Sequence, residues 1–252
     1  MSFILSGVLV SLLILNFQEF GKNQEAQILE AGNSFGNLPV KLSKGLVNSF
    51  DLLGSSGKII FYEKIDSMIY EIGLDGSNKK ELTKLPGASE ISFSPNSQEF
   101  IASIKDASGL GKAYFNLANS QKVNLDKRIK NVAFSPDGKK IVYHFYDDRA
   151  NEGNISISNP DGSDFINIFK TRSKNMELIW PKNDLIVFNP GTNDDSSSAF
   201  SIKPDGKEFR KLSETEYLTY FEEKTKKEIT SLGKDYLMFI NAKDGKLYSL
   251  RL

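Results

Sequence analysis

Between residues 88 and 170 the chain alternates short β-branched and aromatic runs with clusters of Ser, Pro, Asp, Asn and Gly. "ISFSPNSQEFIASI" sets apolar residues on both sides of a polar turn, and "VAFSPDGKKIVYHF" repeats the arrangement about 41 residues later. Short apolar runs bounded by such clusters predict strands, and the turn between two of them predicts a β-hairpin. Three more stretches share this skeleton: "NSFDLLGSSGKIIFY" (48–62), "LIWPKNDLIVF" (178–188) and, in degenerate form, "ITSLGKDYLMFI" (229–240).

A second hairpin follows, most often with Asp-Gly at its turn. The copies are "MIYEIGLDGSNKKELT", "NISISNPDGSDFINIF" and "AFSIKPDGKEFRKLS", with Asp75-Gly76, Asp161-Gly162 and Asp205-Gly206 at the bend. "KAYFNLANSQKVNL" substitutes Asn119-Ser120, and "INAKDGKLYSLRL" carries Asp244-Gly245. Glycine takes positive φ without a Cβ penalty, and Asp tolerates it through local hydrogen bonds. Two hairpins recurring every 40 to 50 residues or so make a four-stranded antiparallel unit, which is one blade of a propeller.

The blade core, with "DGSNKKELT" before an aromatic-Ser-Pro hairpin, resembles the TolB-type propeller repeat, also called WD-like. The resemblance covers residues 46–252 and is strongest at 88–125 and 130–170. It implies an all-β propeller of four-stranded antiparallel blades. Five repeats are counted here, whereas the family usually has six, and "SETEYLTYFEEKTKKE" (213–228) is too compressed for a full blade. Either a five-bladed ring closes, with residues near 40–45 pairing with the last blade, or the ring is gapped. A lone blade cannot cover both of its faces, so neighbours stack and alternating apolar residues fill the space between them. Ile59, Phe61, Ile101, Ile141, Tyr143, Ile186, Phe188, Leu237 and Phe239 occupy equivalent strand positions and are predicted for that core, as is Trp180.

Ahead of the repeats, "SFILSGVLVSLLILNF" carries no charge from Ser2 to Phe17. As a helix it would span roughly 24 Å, slightly short of a hydrocarbon core of about 30 Å. It reads as an N-terminal hydrophobic helix, residues 1–17, acting as an uncleaved anchor; a signal peptide or a buried helix are the alternatives. No basic n-region or nearby small-x-small cleavage site accompanies it. Residues 18–45 read as a polar linker and 46–252 as the propeller. A slight lean to N-inside puts the propeller on the extracytoplasmic side of the cell membrane, as a single-pass protein.

Charge and composition narrow the chemistry. Lys plus Arg and Asp plus Glu are 32 each, so no net field points to nucleic acid. There is no Cys and a single His, His144, which removes thiolate and His-cluster metal sites. No cofactor is expected. His144 lies in the strand "KKIVYHFY", where a structural role is expected of it.

Loops between hairpins and between blades share one end of such a fold, where a rigid scaffold leaves them free to vary. The longest are "YDDRANEG" (146–153) and "NPGTNDDSSS" (189–198). Asp147, Asp148, Arg149, Asp194 and Asp195 are the candidate binding residues, as an acidic rim for a cation or a basic peptide. No catalytic residue and no metal ligand is assigned, since no run has the spacing of a calcium loop. The expected function is a membrane-anchored, non-catalytic binding module or envelope scaffold with a protein or peptide partner. The alternative is an extracytoplasmic propeller enzyme acting on polysaccharide or peptide at the loop face.

Overall fold

The computed structural model describes residues 39–53, 56–95, 98–107, 109–190, 198–220, 236–240 and 245–251. A two-residue strand, β1 (Val40–Lys41), comes first, and four sheets follow. The first sheet holds β2 (Val47–Leu52), β3 (Lys58–Glu63), β4 (Met68–Gly73) and β5 (Lys80–Lys84). The second holds β6 (Ala88–Phe93), β7 (Glu99–Asp106), β8 (Gly109–Asn116) and β9 (Gln121–Asn124). The third holds β10 (Ile129–Phe134), β11 (Ile141–Asp147), β12 (Glu152–Ser158) and β13 (Ile166–Thr171). The fourth holds β14 (Glu177–Lys182), β15 (Leu185–Asn189), β16 (Phe200–Ile202) and β17 (Arg210–Lys211). Each is antiparallel with its strands in chain order, as expected of a propeller blade.

A fifth sheet has three strands in the order β1, β19 (Leu247–Arg251), β18 (Tyr236–Ile240). Val40 pairs with Ser249 and Lys41 with Tyr248, so β1, inside the stretch read as linker, is an outer strand of the last sheet. The five counted repeats thus correspond to four four-stranded blades and this smaller sheet; no sixth sheet stands among the described residues. The hairpin partner expected for β18, residues 229–235, lies outside them. Residues 214–220 form a helical segment, α1. Ser213 caps it: its Oγ accepts from the Glu216 amide at 3.2 Å, and the Glu216 carboxylate accepts from the Ser213 amide at 2.9 Å.

The turn chemistry recurs from blade to blade. Gly76, Gly162 and Gly206 have φ of 83°, 86° and 80°. Two residues later Asn78, Asp164 and Glu208 are also left-handed, at 55°, 52° and 53°. Asp75, Asp161 and Asp205 each accept the amide two residues on, at 2.9 to 3.0 Å. That bond holds the bend which returns the last strand to the sheet. The residue after the second left-handed position is Lys79, Phe165 or Phe209. Phe209 stacks over Phe169 and Phe200 at centroid distances of 5.0 and 5.3 Å, whereas Lys79 lays its ammonium over Tyr70 at 3.7 Å.

The core lies between the sheets. Leu42, Phe61, Tyr70, Met238 and Leu247 join the fifth sheet to the first. Ile60, Tyr62, Ile91 and Phe100 join the first to the second, and Ile101, Tyr114, Ile141 and Tyr143 the second to the third. Val142, Ile155, Trp180 and Phe188 join the third to the fourth. The far face of the fourth sheet, Ile179 and Val187, is packed by Leu212 and by Tyr217 and Tyr220 of α1. Ile59, Phe61, Ile141, Tyr143, Ile186, Phe188 and Trp180 are buried as expected. Ile101 is buried too, but on the opposite face from Ile141 and Tyr143. Phe93 pairs with Phe100 as Phe134 pairs with Ile141, so Phe100 and Ala102 are the true counterparts. A strand buried on both faces hides such a one-residue offset, because either choice lands on an apolar residue. Leu237 and Phe239 stand on β18, and their side chains lie outside the described set.

One buried carboxylate holds the beginning of the propeller in place. Glu63, at the end of β3, is fully buried and accepts the backbone amides of Lys44 and Gly45. Its other oxygen meets Lys79 Nζ at 3.0 Å. The segment that carries β1 to β2 is thereby fastened to the first blade, while Ser43 Oγ accepts the Leu247 amide at 2.9 Å. Removing one partner of a buried pair costs about 3 to 5 kcal/mol, because the other is left uncompensated. Glu63→Ala is therefore expected to lower the urea unfolding free energy by roughly that amount, and Glu63→Gln, which keeps one acceptor oxygen, by less. A loss under about 1 kcal/mol for Glu63→Ala, the worth of an exposed pair, would show that this contact does not hold β1.

Candidate functional site

Antiparallel order places the β3–β4, β7–β8, β11–β12 and β15–β16 connections at one end of the sheets, with the links from blade to blade. The Asp75-Gly76, Asp161-Gly162 and Asp205-Gly206 turns occupy the other end; Gly245, between β18 and β19, lies at the loop end against Leu46, not in a second-hairpin turn as the sequence suggested. At the loop end the inner strands β2, β6 and β10 are each irregular at one place, between Val47 and Ser49, Ala88 and Glu90, and Ile129 and Asn131. Such a bulge re-aims the side chains beside it. The partners across from Ser49, Glu90 and Asn131 are Tyr62, Ser103 and His144.

These three equivalent positions do different things. The Tyr62 hydroxyl points at the carbonyls of Leu85 and Ala88, at 3.3 and 3.4 Å, and so serves the link to the next blade. In the third blade Asn131 takes over that task by donating its amide to the Met176 carbonyl. In the second blade Ser103 Oγ lies 3.2 Å from Glu90 and 2.8 Å from Lys112 Nζ. Lys112 also approaches Glu90 at 3.7 Å. Burial pushes the Lys112 ammonium down from its ordinary value, with Glu90 opposing. A cavity of about 30 Å³ bordered by Glu90, Ser103, Lys112 and Asn131 remains here, room for one water.

The sequence-predicted residues sit one blade further on. Asp147 Oδ1 accepts the backbone amides of Arg149 and Ala150, at 2.9 and 3.3 Å, which closes the β11–β12 turn. Its other oxygen meets Arg128 at 3.1 Å, and Arg128 also holds Asp126 at 2.7 Å. Asp148 lies between Lys174 at 2.7 Å and Lys130 at 3.2 Å. The Arg149 and Ala150 amides and Arg128 hold the Asp147 carboxyl below its usual range; Lys174 and then Lys130 do so for Asp148. The Arg128 guanidinium rests over the Phe145 ring, 4.6 Å from its centroid.

The third blade therefore does not present an acidic rim. Asp126, Asp147 and Asp148 are matched by Arg128, Lys130 and Lys174, with Arg149 exposed beside them. Those bases come from the start of β10 and from the link after β13, close in space and 18 or more residues away in the chain. No spacing rule ties them to the Asp pair, so sequence reasoning missed them. Asp194 and Asp195 lie outside the described residues. Among the described residues no cluster of acids and histidine has the makings of a metal site. At the turn end an open groove of about 300 Å³ runs past Lys58, Asp75, Ser77, Asn78 and Tyr236. Lys58 is paired there with Glu71 at 2.6 Å, and Asp75 is taken up by its own turn.

His144 is fully buried, and neither ring nitrogen has a hydrogen-bond partner among the described residues. Burial pushes its pKa down; the nearby Ser173 backbone opposes this, and Lys130 adds to it. The native ring is held neutral, whereas the unfolded chain takes up a proton as pH falls through about 6.5. Stability tied to His144 is thus present above that pH and lost below it. On lowering pH from 7.5 to 5.5 or so the wild type is expected to lose melting temperature by several degrees more than His144→Leu. Parallel shifts in the two proteins would remove the histidine from the acid response.

No known protein family matches the sequence, and no curated protein does. Solved structures do share the fold. TolB from Acinetobacter baumannii aligns at 17% identity with a TM-score of 0.51, over 68% of this chain and 44% of that one. A TolB from Agrobacterium tumefaciens aligns at 16% identity with a TM-score of 0.50, over 68% of this chain and 67% of that one. Oligogalacturonate lyase from Vibrio parahaemolyticus aligns at 12% identity with a TM-score of 0.54, over 84% of this chain and 62% of that one. At such identities the likeness establishes a TolB-like propeller fold and nothing of function, since the same fold carries an oligogalacturonate lyase.

Proposed function

We propose that the protein is a membrane-anchored propeller that works by binding another protein, as an extracytoplasmic interaction module or envelope scaffold, without catalysis. The observation that carries this reading is the plate of charges on the loop end of the third blade. Six charged groups, Asp126, Arg128, Lys130, Asp147, Asp148 and Lys174, are joined by ion pairs and, at Asp147, by turn amides. Their alternating signs select a complementary polar surface. Asp147, Asp148 and Arg149 are assigned to that contact, and Asp194 and Asp195, which lie outside the described residues, are proposed for it as well.

Anchoring is attributed to the uncharged run from Ser2 to Phe17, which lies outside the described residues. Among the described residues no helix is long and apolar enough to cross a membrane. The chain enters the propeller from the turn end, since Val40 lies against Gly76 of the first blade's Asp-Gly turn. The loop end is the opposite one.

The test is capture from detergent-solubilised envelope by the tagged full-length protein, with a lysine crosslinker to map contacts. A variant carrying Asp147→Asn, Asp148→Asn, Asp194→Asn and Asp195→Asn serves as comparison. A partner crosslinked to the loop end, and captured on the order of tenfold less by the variant, is the expected result. A folded protein that retains no partner, or one released from membranes by alkaline carbonate, would overturn the binding or the anchoring half of the reading respectively.

A further inference from the structure

The loop end has a second sector, on the first two blades, whose chemistry is unlike that of the third. Leu46, Ile65 and Leu110 are 50%, 76% and 61% exposed there. Around them stand the exposed lysines Lys44, Lys64, Lys84 and Lys105. The local contacts make one continuous arc of these residues. Leu46 packs on Gly245, the Lys64 amide donates to the Leu46 carbonyl at 2.9 Å, and Ile65 lies against Gly45. The Leu85 amide, next to Lys84, reaches the Ser67 carbonyl of the same turn at 2.7 Å. The Lys105 amide reaches Gly87 at 3.0 Å, and Lys105 pairs across the strand with Leu110.

The four ammonium groups have no ion pair among the described residues. The acids of the arc are Asp66 and Asp106. Asp66 is engaged by the Tyr70 hydroxyl and the Met68 amide, and Glu63 beneath the arc is taken by Lys79. Four lysines against Asp66 and Asp106 leave the arc net positive, with Glu90 beside it met by Lys112, and its exposed apolar side chains are aliphatic, whereas Asp126, Asp147 and Asp148 of the third blade are each ion-paired. Aliphatic side chains exposed between unpaired cations are the complement of a chain carrying carboxylates and apolar side chains at short spacing.

We infer that the loop face of the first two blades, centred on Leu46, Ile65 and Leu110 and flanked by Lys44, Lys64, Lys84 and Lys105, docks an acidic, apolar peptide segment of a partner protein. This rests on the binding reading above and names the chemistry of the partner. A polynucleotide or an acidic oligosaccharide favours aromatic platforms, and the exposed apolar residues of the arc are aliphatic. An anionic bilayer would have to approach the end opposite to the one where the chain enters the propeller.

The experiment is fluorescence anisotropy of the full-length protein in mild detergent with a short labelled peptide of Glu, Leu and Ser. The same peptide with Lys for Glu is the control, and anionic phospholipid vesicles and single-stranded DNA are competitors. The acidic peptide is expected to bind, to weaken as salt rises, and to lose on the order of tenfold with Lys64→Glu plus Lys105→Glu. Ile65→Ser plus Leu110→Ser should weaken it several-fold at unchanged melting temperature, because both side chains are exposed in the native state. Lys122→Glu plus Lys170→Glu, on outer strands, should leave it unchanged. Equal binding of the lysine peptide, insensitivity to both arc variants, or displacement by vesicles or DNA in preference to peptide would each overturn the proposal. If the peptide fails while an envelope partner crosslinks at Asp148's neighbours, only the arc is wrong. If neither binds, the module reading falls with it.

Discussion

Each four-stranded sheet of this protein is apolar on both sides, and such a sheet persists only when both sides are covered. Ile59 and Phe61 point one way from β3 and Ile60 and Tyr62 the other, and all four are buried. One sheet cannot satisfy that demand alone, nor can two, because each stacking event leaves an outer face still in water. At roughly 25 cal/mol per Å² of apolar surface, every uncovered face is a large loss. The repeats exist to meet this constraint, and the two ends of the stack are where it becomes difficult. On one side the fifth sheet and β1 supply Leu42, Met238 and Leu247 against the first blade. On the fourth blade Leu212, Tyr217 and Tyr220 cover Ile179 and Val187.

That solution makes the segment from β1 to β2 as important as any blade, although it has only two strand residues. Its polar groups are handled by one acid: Glu63 takes two consecutive amides, and Lys79 neutralises it. Lys79 occupies the turn position where Phe209 stands in the fourth blade. There an aromatic side chain closes the space over Phe188 and Phe200; in the first blade a lysine crosses the same space over Phe61 and Tyr70 to reach the carboxylate. Repetition provides the slot, and local need decides what fills it.

The loop end follows from the same division of labour. Since the sheet faces are used up in stacking, polar variation is confined to strand ends and connections. Tyr62, Ser103 and His144 share one position and serve a carbonyl cap, a buried lysine and a neutral packed ring. Charge is distributed unevenly across this end, paired off around Asp147 and Asp148 and positive around Ile65 and Leu110. A propeller offers adjacent blades as separate surfaces on one rigid body, so neighbouring sectors carry different chemistry without disturbing one another.

The spacing of "FSPNSQEFIASI" and "FSPDGKKIVYHF", with the Asp-Gly turns between, was enough to determine the strands, their antiparallel pairing in fours and the buried character of Ile59, Phe61, Ile141 and Phe188. These are local matters: a turn of fixed length sets register, and a run apolar at every position declares that both faces are covered. The sequence also marked Asp147 and Asp148 as adjacent carboxylates on a long loop. It was silent on their partners, since Arg128, Lys130 and Lys174 arrive from other connections. It misassigned Ile101 by one residue, because alternation is lost where both faces are apolar. Glu63 passed unnoticed, as nothing near it in the chain marks it as a buried anion. The pairing of residues near 40–45 with the last blade, one of two readings the sequence left open, was decided by the tertiary structure, which alone showed that the Asp pair is neutralised and that unpaired lysines gather around exposed aliphatics elsewhere. Each of these depends on which chain ends and loops meet in space, and neither local propensity nor periodicity contains that distance.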